Sequence, residues 1–143
     1  MLIREIMTAE AEAVRPDTPL MEAGKRMRDL DVGLMPVTDS TQLVGMLTDR
    51  DITIRAVAQG RDPRTTLVGD VMTAEQIFCY DDQDVTEAAR LMRQQQVRRL
   101  LVLDRANQLV GIVSLGDLAV KGGEQKMGGA VLEEVSQPTG SKA

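Results

Sequence analysis

The chain has 143 residues, which allows one compact domain or two small ones, and carries a net charge of −5 with a pI of about 4.8. The negative charge argues against DNA binding, the single cysteine excludes an internal disulfide, and the absence of histidine argues against a zinc site. No apolar run approaches the ~20 residues of a membrane span, and Arg4 and Glu5 interrupt any secretory pattern, so we predict a cytoplasmic protein without a membrane partner.

The sequence repeats itself. Residues 7–51 align with residues 72–117 at an offset of 65, which becomes 66 after Asn107. Met7-Thr8-Ala9-Glu10 returns as Met72-Thr73-Ala74-Glu75, for example. Two such units are expected to pack as a pseudo-twofold pair, with the cleft between them as the first candidate site. The predicted limits are 1–62 and 63–123, followed by a C-terminal helix and tail at 124–143.

The first repeat begins with an apolar lead-in over residues 1–7. Thr18-Pro19 predicts the N-cap and first position of a helix. Its apolar stripe at helical spacing comprises Leu20, Ala23, Met27 and Leu30. Two strands at Leu34–Val37 and Leu43–Leu47 should form a hairpin, in which Pro36 lies at an edge or faces a ligand. A helix at about Arg50–Gln59 completes the repeat.

The second repeat follows the same order. Leu67, Val68 and Val71 lead into it, and Asp84 with Glu87 predicts a helix start of the capping-box type. The helix stripe comprises Val85, Ala88, Ala89 and Met92. The later elements are strands at Leu100–Leu103 and Leu109–Val113 and a helix at Leu115–Lys121. A further short strand is a candidate in each repeat, at Val14 and at Phe78–Tyr80. A terminal helix is a candidate at Met127–Val135. The order β-α-β-β-α indicates an α/β (α+β) fold.

The strongest local signal is a turn at the end of the second strand of each hairpin. Gly45–Asp51 and Gly111–Asp117 both contain Gly, two apolar residues, a hydroxyl, two variable residues and Asp. A helix N-terminus favours phosphate, the hydroxyl of Thr48 or Ser114 can donate to it, and a carboxylate can accept from ribose hydroxyls. The alternative is purely structural, because Thr and Ser are good N-caps and Asp suits a first helical turn.

Arginines form the second candidate group. Arg98-Arg99 precedes a strand and Arg50 lies inside the first turn, so each could neutralise phosphate; the alternative is solvated charge paired with local carboxylates. Cys79 is expected to be a buried apolar residue, because no histidine can activate it. No catalytic or metal-binding constellation is found in the sequence, so we predict no enzyme activity, no catalytic residue and no metal.

The chain resembles a tandem pair of cystathionine-β-synthase (CBS) domains, known as a Bateman module. The resemblance covers about residues 1–121. It rests on two Met-Thr segments, on Gly33–Val37 and Val97–Asp104, and above all on Leu43–Asp51 and Leu109–Ser114. Each segment is moderately specific, whereas their order, found twice, is highly specific.

The resemblance implies an adenosyl ligand held in a cleft between repeats. The expected ligand is AMP, ADP or ATP, and S-adenosylmethionine or NAD is also possible. No obligatory cofactor is expected. It assigns ribose and phosphate to Thr48 with Asp51 and to Ser114 with Asp117. It also assigns adenine to the backbone of Ala13–Arg15 and Ile77–Cys79, which include Val14 and Phe78. A disc-like homodimer and regulation of another protein are further expectations.

This sequence departs from the family pattern in two places. Leu101 replaces the usual proline, and Leu115-Gly116 replaces a charged pair. The second site is therefore expected to bind less tightly than the first, which has Arg50, or to be empty. Because the repeats use almost all of the 143 residues, the expected regulated protein is a separate partner. The alternative function is an interaction scaffold with empty or vestigial clefts.

Overall fold

A computed structural model of the chain describes residues 1–9, 11–74 and 77–121. The predicted helix Met127–Val135 and the whole predicted segment 124–143 lie outside these residues. The described strands are β1 (Thr8–Ala9), β2 (Leu34–Asp39), β3 (Gln42–Thr48), β4 (Phe78–Tyr80), β5 (Arg99–Leu103) and β6 (Leu109–Ser114). The described helices are α1 (Leu20–Leu30), α2 (Asp49–Asp51, continued by Ile52–Val57), α3 (Val68–Val71), α4 (Val85–Gln95) and α5 (Leu115–Val120), after a 3₁₀ turn at Ile3–Glu5.

These elements form two compact units. The first, here called the Thr48 unit, comprises residues 12–74. The second, the Ser114 unit, comprises residues 1–9, 11 and 77–121. The chain therefore starts in the Ser114 unit, passes to the Thr48 unit after Ala11, and returns at Ile77.

The compact units are not the same as the sequence repeats placed at 1–62 and 63–123, because each repeat's lead-in packs with the other repeat. Ile3 and Ile6 are buried in one apolar core with Met92 of the second repeat. Val68 and Val71 are buried in the other core with Leu20 of the first repeat. Sequence similarity defines the repeat, whereas burial of apolar side chains defines the folded unit.

The Ser114 unit contains a four-stranded sheet in the order β1-β6-β5-β4. The pairs β1–β6 and β5–β6 are antiparallel, and β4 runs parallel to β5. The prediction of a strand at Phe78–Tyr80 is confirmed. Because β4 is the last strand in this order, one side of its backbone is not paired within the sheet.

The Thr48 unit contains the equivalent hairpin, β2–β3, as a two-stranded sheet. Its outer neighbours are single bridges: Val14 pairs parallel with Val37, and Thr73 pairs antiparallel with Met46. The predicted strand at Val14 is thus one bridged residue. Pro36 lies on β2, which within residues 1–9, 11–74 and 77–121 has only the Val14 bridge on its outer side, in agreement with the expected edge position.

Both predicted hairpins are confirmed, and their irregularities are repeated. The register shifts between Val37 and Thr38 in one hairpin and between Val102 and Leu103 in the other. A bulge at equivalent positions bends both hairpins in the same way. The strands extend one or two residues beyond several predicted ends, because main-chain pairing continues into the polar residues next to each turn.

At α4 the predicted N-cap is found without the predicted capping box, and at α1 the helix start differs from the prediction. Asp84 caps α4 by accepting from the Thr86 N–H at 3.0 Å, whereas Glu87 contacts Arg90. At α1 the N-cap residue is Pro19, not Thr18. The Thr18 hydroxyl instead accepts from the Arg15 N–H at 3.0 Å, because the chain turns before it enters the helix.

The apolar stripes on α1 and α4 are buried as predicted, with one exception. Leu30 is 42% exposed, because α1 ends there with Asp31 in the left-handed conformation. Helix α2 was expected over residues 50–59 and spans Asp49–Val57, with wider π-type turns in its second part. Within the described residues, no helix is long and apolar enough to cross a membrane.

Candidate functional site

The Thr48–Asp51 turn joins β3 to α2 by two reciprocal hydrogen bonds. The Asp51 N–H donates to the Thr48 hydroxyl at 3.0 Å, and the Thr48 N–H donates to Asp51 Oδ2 at 3.0 Å. These bonds satisfy two main-chain donors that the helix start would leave unpaired. The Asp51 side chain is only 9% exposed.

The Ser114–Asp117 turn has the same geometry between β6 and α5. The Asp117 N–H donates to the Ser114 hydroxyl at 3.1 Å, and the Ser114 N–H donates to Asp117 Oδ2 at 2.9 Å. The Asp117 side chain is 14% exposed. The two turns are thus duplicated in structure as well as in sequence.

This geometry agrees with a purely structural capping role for both turns. It also leaves groups in each turn that could contact a ligand. Each hydroxyl accepts a hydrogen bond from the main chain but keeps its own proton, which can be donated to a phosphate oxygen. Each carboxylate uses one oxygen for the capping bond. The other oxygen, Oδ1 in both Asp51 and Asp117, remains an acceptor for other groups.

Asp51 Oδ1 already has contacts that no local sequence pattern predicts. The Thr73 hydroxyl donates to it at 2.9 Å, and Arg55 Nε lies 4.0 Å away. Arg55 also donates through Nη1 to the Met72 carbonyl at 3.0 Å. The repeated Met-Thr pair was the available sequence signal, but nothing in its spacing shows that Thr73 reaches the turn of the preceding repeat.

Asp117 Oδ1 has a different neighbour. Lys121 Nζ lies 3.4 Å from it, at the position equivalent to Arg55. Thr8, the residue equivalent to Thr73, is exposed, and among the residues that the structure describes it makes no side-chain bond to Asp117. The two carboxylates are therefore equivalent in sequence but differ in their surroundings.

The predicted arginines lie in different places. Arg99 on β5 is directly opposite Ser114 in the antiparallel register, which places both side chains on one face, and the Arg98 carbonyl accepts from the Leu115 N–H at 2.8 Å. Strand β5 therefore brings a positively charged residue beside a turn whose own residues 115 and 116 are uncharged. Arg50 is exposed, and its N–H donates to Asp49 Oδ1 at 2.9 Å.

The predicted adenine segments pair in the same way in both units, since Val14 pairs parallel with Val37 and the equivalent Cys79 pairs parallel with Val102. Val14 is buried, and its N–H and carbonyl both bond to β2, through Pro36 and Thr38. Phe78 begins the edge strand β4, opposite Leu101 of β5. The backbone at Phe78 therefore has a side that the sheet does not pair, while the carbonyl of the equivalent Ala13 accepts from Arg26 Nη1 at 2.9 Å.

Cys79 is buried as predicted. Burial, together with the nearby Glu87 carboxylate, raises the pKa of its thiol from 9.0 to about 12. The thiolate needed for nucleophilic attack is therefore scarce near neutral pH. Among the described residues, no group of three or more Cys, Asp and Glu side chains is placed to hold a metal ion.

The CBS domain model matches residues 3–57 and again residues 68–121. The chain belongs to the CBS domain family. Its two CBS repeats are 41% identical over 134 residues to the CBS domain-containing protein YhcV of Bacillus subtilis (strain 168), an alignment that covers 94% of each chain. The tandem-repeat prediction and the mixed α/β fold class are thus confirmed.

Solved CBS structures superpose well on this chain. The crystal structure of Hypoxic Response Protein I with two coordinated zinc ions has a TM-score of 0.75 at 36% identity, covering 83% of this chain and 97% of that chain. CBSX2 in complex with AMP has a TM-score of 0.73 at 26% identity, covering 87% and 98%. The similarity to these CBS proteins therefore extends over most of both chains.

Proposed function

We propose that this CBS pair is a non-catalytic regulatory module that binds an adenosyl ligand, AMP, ADP or ATP, at its two capped turns and signals to a separate protein. The single observation that carries the proposal is the duplicated turn, in which a hydroxyl proton and lone pairs of the carboxylate remain for a ligand. The AMP complex of the similar CBSX2 supports the class of ligand. A cytoplasmic location stays a prediction from the sequence.

Within each turn, the carboxylate and the hydroxyl are proposed to contact different parts of the nucleotide. Asp51 Oδ1 and Asp117 Oδ1 would accept from the ribose hydroxyls, and the hydroxyls of Thr48 and Ser114 would donate to phosphate. The positive ends of the helix dipoles would add to the attraction for phosphate. The adenine would lie near the backbone at Val14 or Phe78.

Both turns are proposed to bind, and the ranking of the first turn above the second stays a prediction. The Thr48 turn contains Arg50, but it also contains Asp49, whose negative charge opposes phosphate. At the Ser114 turn, Arg99 of β5 is paired with Ser114 in the strand register. A Cβ built on Gly116 finds only Ser114 Oγ within 4 Å, at 3.6 Å, so the outer side of this turn is open.

Isothermal titration calorimetry with AMP, ADP and ATP tests the proposal. We expect micromolar-range binding by the wild-type protein. Asp117→Ala and Asp51→Asn should each weaken binding at their own turn by about tenfold or more, because each removes a charged acceptor for the ribose hydroxyls. Asp51→Asn is preferred to Asp51→Ala because the amide oxygen can still accept from the Thr48 N–H.

Thermal unfolding of each variant provides the control, since a variant that melts far below the wild type says nothing about ligand contacts. Asp29→Ala, on the exposed surface of α1, serves as a matched carboxylate removal that should leave binding unchanged. Absence of any heat or thermal shift with all three nucleotides would contradict the proposal.

A second candidate function is an interaction scaffold that works without nucleotide. It is favoured by exposed aliphatic side chains on the outer helices: Ile54 and Val57 on α2 are 43% and 70% exposed, and Val120 on α5, at the position equivalent to Ile54, is 79% exposed. Paired apolar residues of this kind suit self-association. A homodimer is compatible with both candidate functions.

A further inference from the structure

The contact between Thr73 and Asp51 joins the candidate turn to the segment where the chain leaves the Thr48 unit. Asp51 lies at the start of α2, and its Oδ1 accepts from the Thr73 hydroxyl at 2.9 Å. Thr73 is only four residues before Ile77, where the chain enters the Ser114 unit. The side chain that would hold ribose is thus bonded to the connecting segment.

The connecting segment is held on this turn by the backbone as well. The Met46 N–H donates to the Thr73 carbonyl at 2.9 Å, and the Thr73 N–H donates to the Met46 carbonyl at 2.8 Å. Arg55 holds the preceding carbonyl, that of Met72, at 3.0 Å while lying 4.0 Å from Asp51. The segment and the carboxylate therefore cannot move independently.

The contact also fixes the orientation of the carboxylate. Oδ2 accepts from the Thr48 N–H and Oδ1 accepts from Thr73, so neither oxygen is free to rotate away. An ionised carboxylate has about four lone-pair positions, and these two bonds use two of them. The remaining positions can accept ribose hydroxyls from a carboxylate that is already oriented, which lowers the entropy cost of binding.

The contact is not a general result of the repeat. In the other unit Thr8 is exposed, and the nearest cation to Asp117 Oδ1 is Lys121 at 3.4 Å. Identical Met-Thr pairs thus have different roles in the two units. This difference between equivalent residues makes Thr8 a natural control for Thr73.

We propose that Thr73 is a positioning residue of the Thr48 turn, which orients Asp51 for ribose and couples occupancy of the turn to the segment connecting the two units. This inference rests on the proposed function. Because coupling is reciprocal, a ligand that depends on the Thr73 contact must also stabilise the connecting segment. The turn is then a place where binding can change the backbone between the repeats.

The test uses the full chain carrying Asp117→Ala, so that the Thr48 turn supplies the remaining binding. Into this background we introduce Thr73→Val, which keeps the shape but loses the donor, Thr73→Ser, which keeps the donor, and Thr8→Val as the matched control. Calorimetric titration with AMP measures affinity. Hydrogen exchange at the Thr73 and Met46 amides, with and without AMP, measures protection of the segment.

We expect Thr73→Val to weaken AMP binding by about tenfold and to abolish the AMP-dependent slowing of exchange, in line with typical coupling factors. Thr73→Ser should restore both, and Thr8→Val should change neither. Thermal melts confirm that each variant is folded. Unchanged AMP affinity in Thr73→Val, or an equal loss in Thr8→Val, overturns the positioning role alone; no AMP binding by the wild-type chain overturns the proposed function as well.

Discussion

At the residue scale, two glycines decide whether the Met-Thr segments can lie on their strands. A Cβ on Gly45 would be 2.8 Å from the Thr73 carbonyl oxygen, and a Cβ on Gly111 would be 2.7 Å from the Thr8 carbonyl oxygen. Both distances are too short for a carbon atom beside main chain. Glycine therefore permits each segment to pair with the last strand of its unit before the chain crosses to the other unit.

This close approach predicts a strong effect of a small substitution. Gly45→Ala should destabilise the protein by about 1–3 kcal/mol, because the backbone at Thr73 must shift to accommodate the methyl group. Chemical denaturation followed by circular dichroism measures the change. Gly24→Ala is the matched control: it lies within α1 with nothing within 4 Å of the added Cβ, so it should stabilise the protein by up to about 1 kcal/mol. Equal effects of the two substitutions would contradict this explanation.

Some contacts of individual residues follow from the sequence and others do not, because only short-range contacts obey local rules. The capping role of Thr48, Ser114 and Asp84 was predictable, because a cap bonds to residues two or three positions away. The contact of Thr73 with Asp51 spans 22 positions, and no local rule predicts such a bond. The capping bonds of the candidate site were thus predictable from the sequence, whereas its tertiary contact with Thr73 was not.

At the element scale, the start of α4 shows how one carboxylate organises a helix and the chain terminus. Asp84 accepts from the Thr86 hydroxyl at 2.7 Å and the Thr86 N–H at 3.0 Å, and the N-terminal ammonium lies 3.2 Å away. The hydrogen bonds from the Thr86 side chain and backbone, followed by that from the ammonium, lower the pKa of Asp84 from 3.8 to about 2. The charged form is therefore favoured by folding.

The lowered pKa predicts how stability changes in acid. Because the folded state holds the proton less tightly than the unfolded state, the contribution of Asp84 is fully present above about pH 4 and is lost as the pH falls towards about 2. Asp84→Ala should lower the melting temperature at pH 7, and its difference from the wild type should shrink between pH 4 and 2. Asp84→Asn, which still offers a capping oxygen but does not titrate, should lose less stability at pH 7.

Thermal melts followed by circular dichroism at pH 7, 4, 3 and 2 provide the measurement. A difference between wild type and Asp84→Ala that stays constant over this range would show that the charge of Asp84 does not contribute.

The elements themselves were largely predictable, since apolar spacing alone located α1, α4 and both hairpins. The end of α1 was not predictable in the same way, because Leu30 fits the stripe yet lies where the helix stops.

At the scale of the whole molecule, exposed apolar surface on α2 predicts self-association. Ile54 and Val57 are three residues apart on one helix, and Val57 is 70% exposed. Replacing both by Asp should convert a dimer into a monomer of 15.6 kDa in light scattering coupled to size-exclusion chromatography. Leu30→Asp, at a 42% exposed position on α1, is the control and should leave the dimer intact. A wild-type mass equal to that of the monomer would contradict the prediction.

The sequence by itself determined the CBS family, the duplicated elements and the two capped turns, because each depends on residue types at short, repeated spacings. Only the tertiary structure decided which lead-in packs with which repeat, that Arg99 faces Ser114, and that Thr73 holds Asp51. These features depend on where distant segments meet. Burial of Ile3 and Val71 in their respective cores decides which distant segments come into contact. The repeated sequence does not show these contacts, since Thr8 and Thr73 are identical in the sequence and differ only in the folded units.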